Sequence, residues 1–310
     1  MRITLNMQDA QSLLTLNNQQ EQITQLSQQI SSGQQMSAPS DDPYSWAQAM
    51  NTQQGLREYT SIQSNISFAT GWEQATSSAL SQLSSLVSQA KQVAISASSA
   101  SGTTESAAYV TEVNGILQQA LNLGNTQYNG QYIFAGAATG TSPFSVDSST
   151  GAVTLNPLCT GSINVRTSLN NGSSGSTSAI NITGDDIFTY SSGGSTLNVL
   201  SEIQGLGQAI QSGDSAAISN SITTLGDAFN NVNNQSEVEG ARLSELTTQQ
   251  SALNVFQTND KGQLSNLQDT DMAAATTKLQ AVQTAFQAAL QVTTKVTNLN
   301  LASILTGSTG

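Results

Sequence analysis

Two pairs of adjacent carboxylates are the residues of this chain with the types and spacing to do chemistry. Asp41-Asp42 sits inside Ser37-Ala-Pro-Ser-Asp-Asp-Pro-Tyr44, and Asp185-Asp186 follows Ile182-Thr-Gly184. Neighbouring carboxylates can hold a divalent cation when further oxygen donors converge on it, or divide acid and base roles across a sugar bond. The first pair has little such help, since Glu58 is the nearest other acid in sequence and Ser40 the close neutral donor. Its flanks point elsewhere. Pro39 and Pro43 disfavour helix at the residues before them, and an Asp at a helix start accepts from free backbone N–H groups at the positive end of the helix dipole. Pro39, Asp41, Asp42 and Pro43 therefore read as a joint and cap leading into a long helix. Asp185-Asp186 reads as a solvated turn, because Asp and Gly favour loops for backbone reasons alone.

Other chemistries lack their parts. The chain has no histidine, which removes the usual general base near neutral pH, the commonest zinc ligand and every Ser-His or Cys-His arrangement. Its one cysteine, Cys159, cannot form an internal disulfide or a paired-thiol metal site and reads as a small buried side chain. No cofactor, metal or catalytic residue is expected. Asn65-Ile-Ser, Asn171-Gly-Ser and Asn181-Ile-Thr match the glycosylation acceptor pattern, as chance allows in a chain so rich in Asn, Ser and Thr. Trp46, Tyr59 and Trp72 stand at near-helical spacing and read as packing contacts rather than a carbohydrate platform.

The elements that must carry these residues are polar and long. Only 9% of the 310 residues are charged and 5% aromatic, a balance that suits Gln/Ser-rich helices better than a dense enzyme interior. The net charge of −12 repels nucleic-acid phosphates and anionic lipid headgroups. No stretch approaches the ~20 apolar residues of a membrane span, and the first ten residues lack the apolar core of a secretory leader. The expectation is a chain that inserts in no membrane and, if exported, leaves without a cleaved signal.

Helical stripes occupy both ends. Leu16, Ile23, Leu26 and Ile30 share one helical face on a Gln/Ser/Asn/Thr background. Ile62, Ile66, Ala69, Thr76, Leu80, Leu83, Val87, Ala90 and Ala94 then alternate by fours and threes, interrupted by Glu73, over nearly five heptads. A third stretch runs from about Ala107 to Tyr128 along Val110, Val113, Leu117, Leu121 and Gly124. Toward the other end, Leu246, Leu253, Phe256 and Leu267 form one stripe, and Met272, Ala275, Leu279, Val282, Phe286, Ala289 and Val296 another. Between the halves, residues 137–195 carry short alternating runs at Phe144–Val146, Ala152–Leu155, Ile163–Val165 and Ala179–Ile182, with turn residues at Asp147–Gly151. Leu197–Ile210 and Ala216–Phe229 return to helical spacing.

The fold expected is mainly α: a long antiparallel helical bundle or coiled coil built from both termini, with a small inserted β-rich domain. Residues 1–42 with 272–310 form a terminal coiled coil, 43–136 with 196–271 a rod-like bundle, and 137–195 the insert. Terminal stripes this thin cannot hold isolated helices in water, so they must bury against each other or against further copies of the chain. Leu16, Ile23, Leu26, Ile30, Met272, Leu279, Val282, Phe286 and Val296 form the expected assembly seam of a self-assembling structural protein whose ends order on assembly. Two other classes stay open. A secreted β-domain adhesin on a helical stalk would use Phe144, Phe188 and Tyr190 in a pocket, and an enzyme would need its carboxylates brought together.

Ile30-Ser-Ser-Gly33 followed by Pro39-Ser-Asp-Asp-Pro43 resembles the N-terminal signature of the bacterial flagellin family. The Met1-Arg-Ile start, Tyr132-Ile-Phe-Ala-Gly136 with Pro143-Phe144, and Gly240-Ala-Arg242 are similar to its hook-associated branch more than to filament subunits. Leu267-Gln-Asp-Thr-Asp-Met-Ala273 and Leu299-Asn-Leu-Ala-Ser-Ile-Leu305 resemble its acidic step and closing tail, so the resemblance covers roughly residues 1–145 and 235–310. Gln34-Gln35 departs from the family, which carries basic residues there. The resemblance implies a secreted structural part of the bacterial flagellum joining hook to filament, or a filament subunit. It also implies partners: other copies of the chain, the hook-side junction protein, flagellin, and an export chaperone serving a type III route.

Overall fold

The computed structural model describes residues 5–99, 103–147, 151–168 and 177–306. Helix α1 spans Leu5–Ser32, α2 Pro43–Ser98 and α3 Thr103–Gly124. Strands β1 (Gln127–Tyr128), β2 (Gln131–Tyr132), β3 (Phe144–Val146), β4 (Val153–Leu155), β5 (Asn164–Arg166) and β6 (Thr177–Ala179) follow. Then come α4 (Gly184–Phe188), β7 (Thr189–Ser192), β8 (Ser195–Asn198), α5 (Val199–Ser212), α6 (Ser215–Gln268) and α7 (Met272–Thr306).

One device starts three of the long helices. The Asp just before each first helical residue turns its carboxylate onto free N–H groups of the first turn: Asp42 onto Tyr44 and Ser45 (both 3.1 Å), Asp214 onto Ala216 and Ala217 (both 3.0 Å), and Asp271 onto Ala273 and Ala274 (2.9 and 3.0 Å). Pro43 occupies the first helical position of α2, where its missing N–H costs nothing. At the far end of α1, Gly33 takes φ +70° and its N–H reaches the Gln29 carbonyl at 2.8 Å, the left-handed stop that a side chain would resist.

The strands form four separate antiparallel hairpins rather than one sheet. Two were not anticipated. Asn129 and Gly130 (φ 51° and 79°) turn β1 into β2, and Gly193 and Gly194 (φ 59° and 83°) turn β7 into β8, both two-residue loops with positive φ at each centre. The expected helix through Tyr128 therefore stops at Gly124 and Tyr128 lies in β1. The reason is Asn125, whose side-chain amide both donates to the Phe144 carbonyl and accepts from the Phe144 N–H, each at 3.0 Å, so it serves β3 instead of the helix. Leu197 likewise belongs to β8, and the helix after it starts at Val199, with Asn198 capping Leu200 and Ser201. Residues Ile180–Ile182 are not strand, and pairing in β6 ends at Ala179.

The chain divides into two compact units, one from residues 1–58 and 256–310, the other from 59–255. The second holds a continuous core. All nine stripe positions from Ile62 to Ala94 are buried, as are Val113 and Leu117 of α3, Leu200, Ile203 and Leu206 of α5, and Leu225, Val232, Leu246 and Leu253 of α6. Within this unit α2 and α6 face each other in opposite directions: Ser84 Oγ donates to Asn233 Oδ1 at 2.8 Å, and further along α2 the Lys91 ammonium lies beside Gly226. Rings close the end near the hairpins, where Trp72 meets Phe68 and Tyr128 at 5.9 and 6.2 Å, and Phe188 packs against Phe144 at 4.5 Å with the rings tilted by 58°.

Candidate functional site

Unit 1, residues 1–58 and 256–310, collects the residues singled out as joint and seam. At the joint, the two carboxylates do different work. Asp42 caps α2 and also accepts from the Ser45 hydroxyl at 2.7 Å, and these donors hold its carboxyl below the usual range, the hydroxyl bond contributing most. Asp41 accepts from the backbone N–H groups of Ser37 and Ala38 at 2.8 and 3.0 Å, closing a tight loop on itself. Both carboxylates thus take their donors from residues within four positions in the chain. Among the described residues no group of three Asp, Glu, His or Cys side chains could hold a metal ion.

The joint is paired with a second one. Gln35 N–H donates to the Gln268 carbonyl at 2.6 Å, Thr270 N–H donates to the Gly33 carbonyl at 2.9 Å, and Gln34 bridges Asp269 in antiparallel fashion. The break between α1 and α2 is therefore tied, backbone to backbone, to the break between α6 and α7. Gln29 Nε2 adds a bond to the Gln35 carbonyl at 2.8 Å, Gln53 Nε2 one to Gln268 Oε1 at 3.3 Å, and Ser265 donates its hydroxyl to Asp269. Met36, in the same loop, is buried. None of these partners follows from periodicity. The residues at Gln34-Gln35 act here through their backbone, so the absent basic side chains leave the tie intact.

Helices α1 and α7 pack along one another. Leu26 is buried and Leu16, Ile23 and Ile30 half-buried on α1. Ala275 is buried on α7, and Leu279, Val282, Phe286 and Ala289 are half-buried. Met272 opens α7 with 46% of its surface exposed, and the side chain of Val296 lies outside the described residues. Beside this seam the pair leaves large apolar side chains in solvent: Leu13 and Leu14 on α1, Leu290 and Val292 on α7. Half-buried contacts flanked by exposed leucines and valines can be completed by further apolar surface.

Two family models match the chain, the bacterial flagellin N-terminal helical region over residues 3–139 and the C-terminal helical region over residues 222–305. Together they span well over half of it. The chain belongs to the bacterial flagellin family. Among curated flagellin-family proteins it is 27% identical to flagellar hook-associated protein 3 of Salmonella typhimurium over 97% of this chain and 98% of that one, and equally to its Escherichia coli counterpart. The flagellar junction protein FlgL of Legionella pneumophila shares the fold, with a TM-score of 0.58 at 14% identity over 72% of this chain and all of that one.

The rest of this flagellin-family chain places the remaining candidates. Asp185-Asp186 is not a turn but the first turn of α4: Thr183 accepts from the Asp186 N–H at 3.2 Å while Asp186 accepts from the Thr183 N–H at 3.2 Å, a reciprocal cap. Phe144, Phe188 and Tyr190 are buried and belong to the hydrophobic core of unit 2. Cys159 is buried, and burial raises its thiol above the ordinary range. Asn65 and Asn181 have their side-chain amides bonded to the carbonyls of Arg166 and Gly161, and Asn171 lies outside the described residues. Trp46 and Tyr59 are half-buried, and Trp72 is sealed in the ring cluster. No helix among the described residues is long and apolar enough to cross a membrane.

Proposed function

We propose that the chain is a structural, self-assembling component of the bacterial flagellum that forms the junction between hook and filament. The observation that carries this reading is the end-to-end similarity to hook-associated protein 3, which runs through the insert as well as the family's helical ends. In this reading residues 1–42 with 272–310 form the assembling part, 43–136 with 196–271 a rod, and 137–195 an outward domain. The seam of Leu16, Ile23, Leu26, Ile30, Met272, Leu279, Val282, Phe286 and Val296, with the exposed apolar side chains beside it, receives the corresponding helices of neighbouring subunits. The partners are further copies of the chain, the hook-side junction protein and flagellin. An export chaperone covers the seam before assembly, and the chain reaches the flagellum without a cleaved leader.

The test is electron microscopy of cells deleted for this chain. Intact hooks without filaments, restored by the gene in trans, support a junction role. Hooks and filaments that remain joined overturn it, and bare hooks on cells that release no other flagellin into the medium make the chain the filament subunit.

A further inference from the structure

The family role uses the ends of the chain, yet the most unusual chemistry lies inside unit 2, residues 59–255. Glu73 of α2 and Glu239 of α6 are each only 1% exposed. Three of their four carboxylate oxygens, both on Glu73 and Oε2 of Glu239, meet no protein donor. The fourth, Glu239 Oε1, accepts from Arg242 Nη1 at 2.7 Å, and the same guanidinium reaches the Asn181 carbonyl at 3.4 Å. The charged groups acting on Glu73 are Glu239 and Arg242, both from α6. Residues one turn away on α2 are Ala69, Thr70, Thr76 and Ser77, none of which titrates near neutrality, and the segment after β6 offers a neutral carbonyl.

Two buried carboxylates against one guanidinium leave a net negative charge in a low-dielectric seam, which is costly. A single proton shared by the pair brings the site to neutrality and supplies a donor where the oxygens lack one. We propose that Glu73 and Glu239 form a proton-sharing latch between α2 and α6 that holds the rod seam while protonated and loosens it as pH rises. The position fits a latch: Glu73 is the one charged side chain in the α2 stripe, so its ionisation acts on the seam itself.

Burial, then the proton-mediated hydrogen bond to Glu239 and the charge of that residue, push the Glu73 carboxyl up to about 10, against a smaller opposing pull from Arg242. The folded-state value lies above the ordinary value of 4.5. The protonated folded form therefore gives its full stability below that ordinary value and loses it progressively as pH rises through the folded value. Between those limits one extra proton is bound by the folded unit, so the unfolding constant rises about tenfold per pH unit from this group.

The test uses the full chain, unfolded in denaturant between pH 6 and 9 and followed by tryptophan fluorescence, with Trp72 adjacent to the site. Wild type is expected to lose stability about tenfold per pH unit more steeply than Glu73→Gln. Parallel pH profiles overturn the proposal. Should Glu73→Gln not fold, carbon-13 titration of wild-type glutamate carboxyls decides. A carboxyl assigned to residue 73 or 239 that titrates above pH 7 is expected, and both titrating below pH 6 overturns the latch.

Discussion

Unit 2 and unit 1 are built from the same polar helices and bury them differently. Unit 2 seals whole rings and branched side chains, Trp72, Phe134, Phe188, Ile62, Ile66 and Leu80 among them, each under 2% exposed. In unit 1 the buried apolar side chains among the described residues are Leu26, Met36, Ala49 and Ala275, while Leu13, Leu14, Phe256 and Val292 stand in solvent. To the thin seam between α1 and α7, unit 1 adds capping carboxylates and a backbone tie between two joints. A sealed core stabilises a monomer by itself, whereas a half-covered seam gains most when more apolar surface arrives. On the proposed function, the difference separates a unit that folds alone from one that neighbouring subunits complete.

The hardest test of that separation is Trp72→Ala. Removing a sealed indole from the ring cluster costs about 3–5 kcal/mol, enough to unfold a marginal domain. Thermal melting of the full chain should show the main transition moved sharply down or lost. A shift under a few degrees would mean that the ring cluster is peripheral to the core.

Phe286→Asp makes the opposite demand. Fully burying such a ring gives roughly 2–3 kcal/mol, and Phe286 is half-buried on α7 in the isolated chain. Its loss should leave the main melting transition of unit 2 in place and abolish junction formation and filament attachment in a motility assay. Loss of the main transition would make the seam an ordinary core, and wild-type motility would remove it from assembly. Limited proteolysis of the wild-type monomer sharpens the same contrast, with cuts in α1 and α7 expected before any inside a core from near residue 40 to near residue 275.

The long stripes were legible because a four-three repeat persists on a polar background, and every stripe position from Ile62 to Ala94 is buried. Glu73 reads as an interruption in that pattern, because its meaning depends on Glu239, far away in sequence and adjacent only once α2 and α6 face each other. The tie between Gly33-Gln35 and Gln268-Thr270 is invisible for the same reason and one more: backbone bonds carry no side-chain signature. The missed hairpins are a different failure. Asn129-Gly130 and Gly193-Gly194 are strong turn signals, but their strands are two to four residues long, too short for alternation to compete with the helical spacing on either side.

Gly130→Ala tests one of those turns. At φ +79° an L side chain is strained by about 1–2 kcal/mol, with open space around it and so no clash to add. A drop of that size in the main transition is expected, smaller than for Trp72→Ala and without effect on assembly at low temperature. An unchanged melt would mean that the β1–β2 hairpin contributes nothing to unit 2.

The smallest effect belongs to the joint of unit 1. Asp42 is solvent-exposed, and its carboxylate stabilises the start of α2 only through the Tyr44 and Ser45 donors. Those bonds lower its folded-state pKa below the ordinary 3.8, so the contribution is present above that value and fades as pH falls through the folded one. Asp42→Ala should speed amide exchange at Tyr44 and Ser45 at pH 6 without moving the main transition. Asp42→Asn, which keeps an accepting oxygen, should retain much of the protection and lose its pH dependence. If Asp42→Ala instead lowers the transition of unit 2, or if both variants exchange like wild type, the joint is not the local cap that separates it from the sealed core.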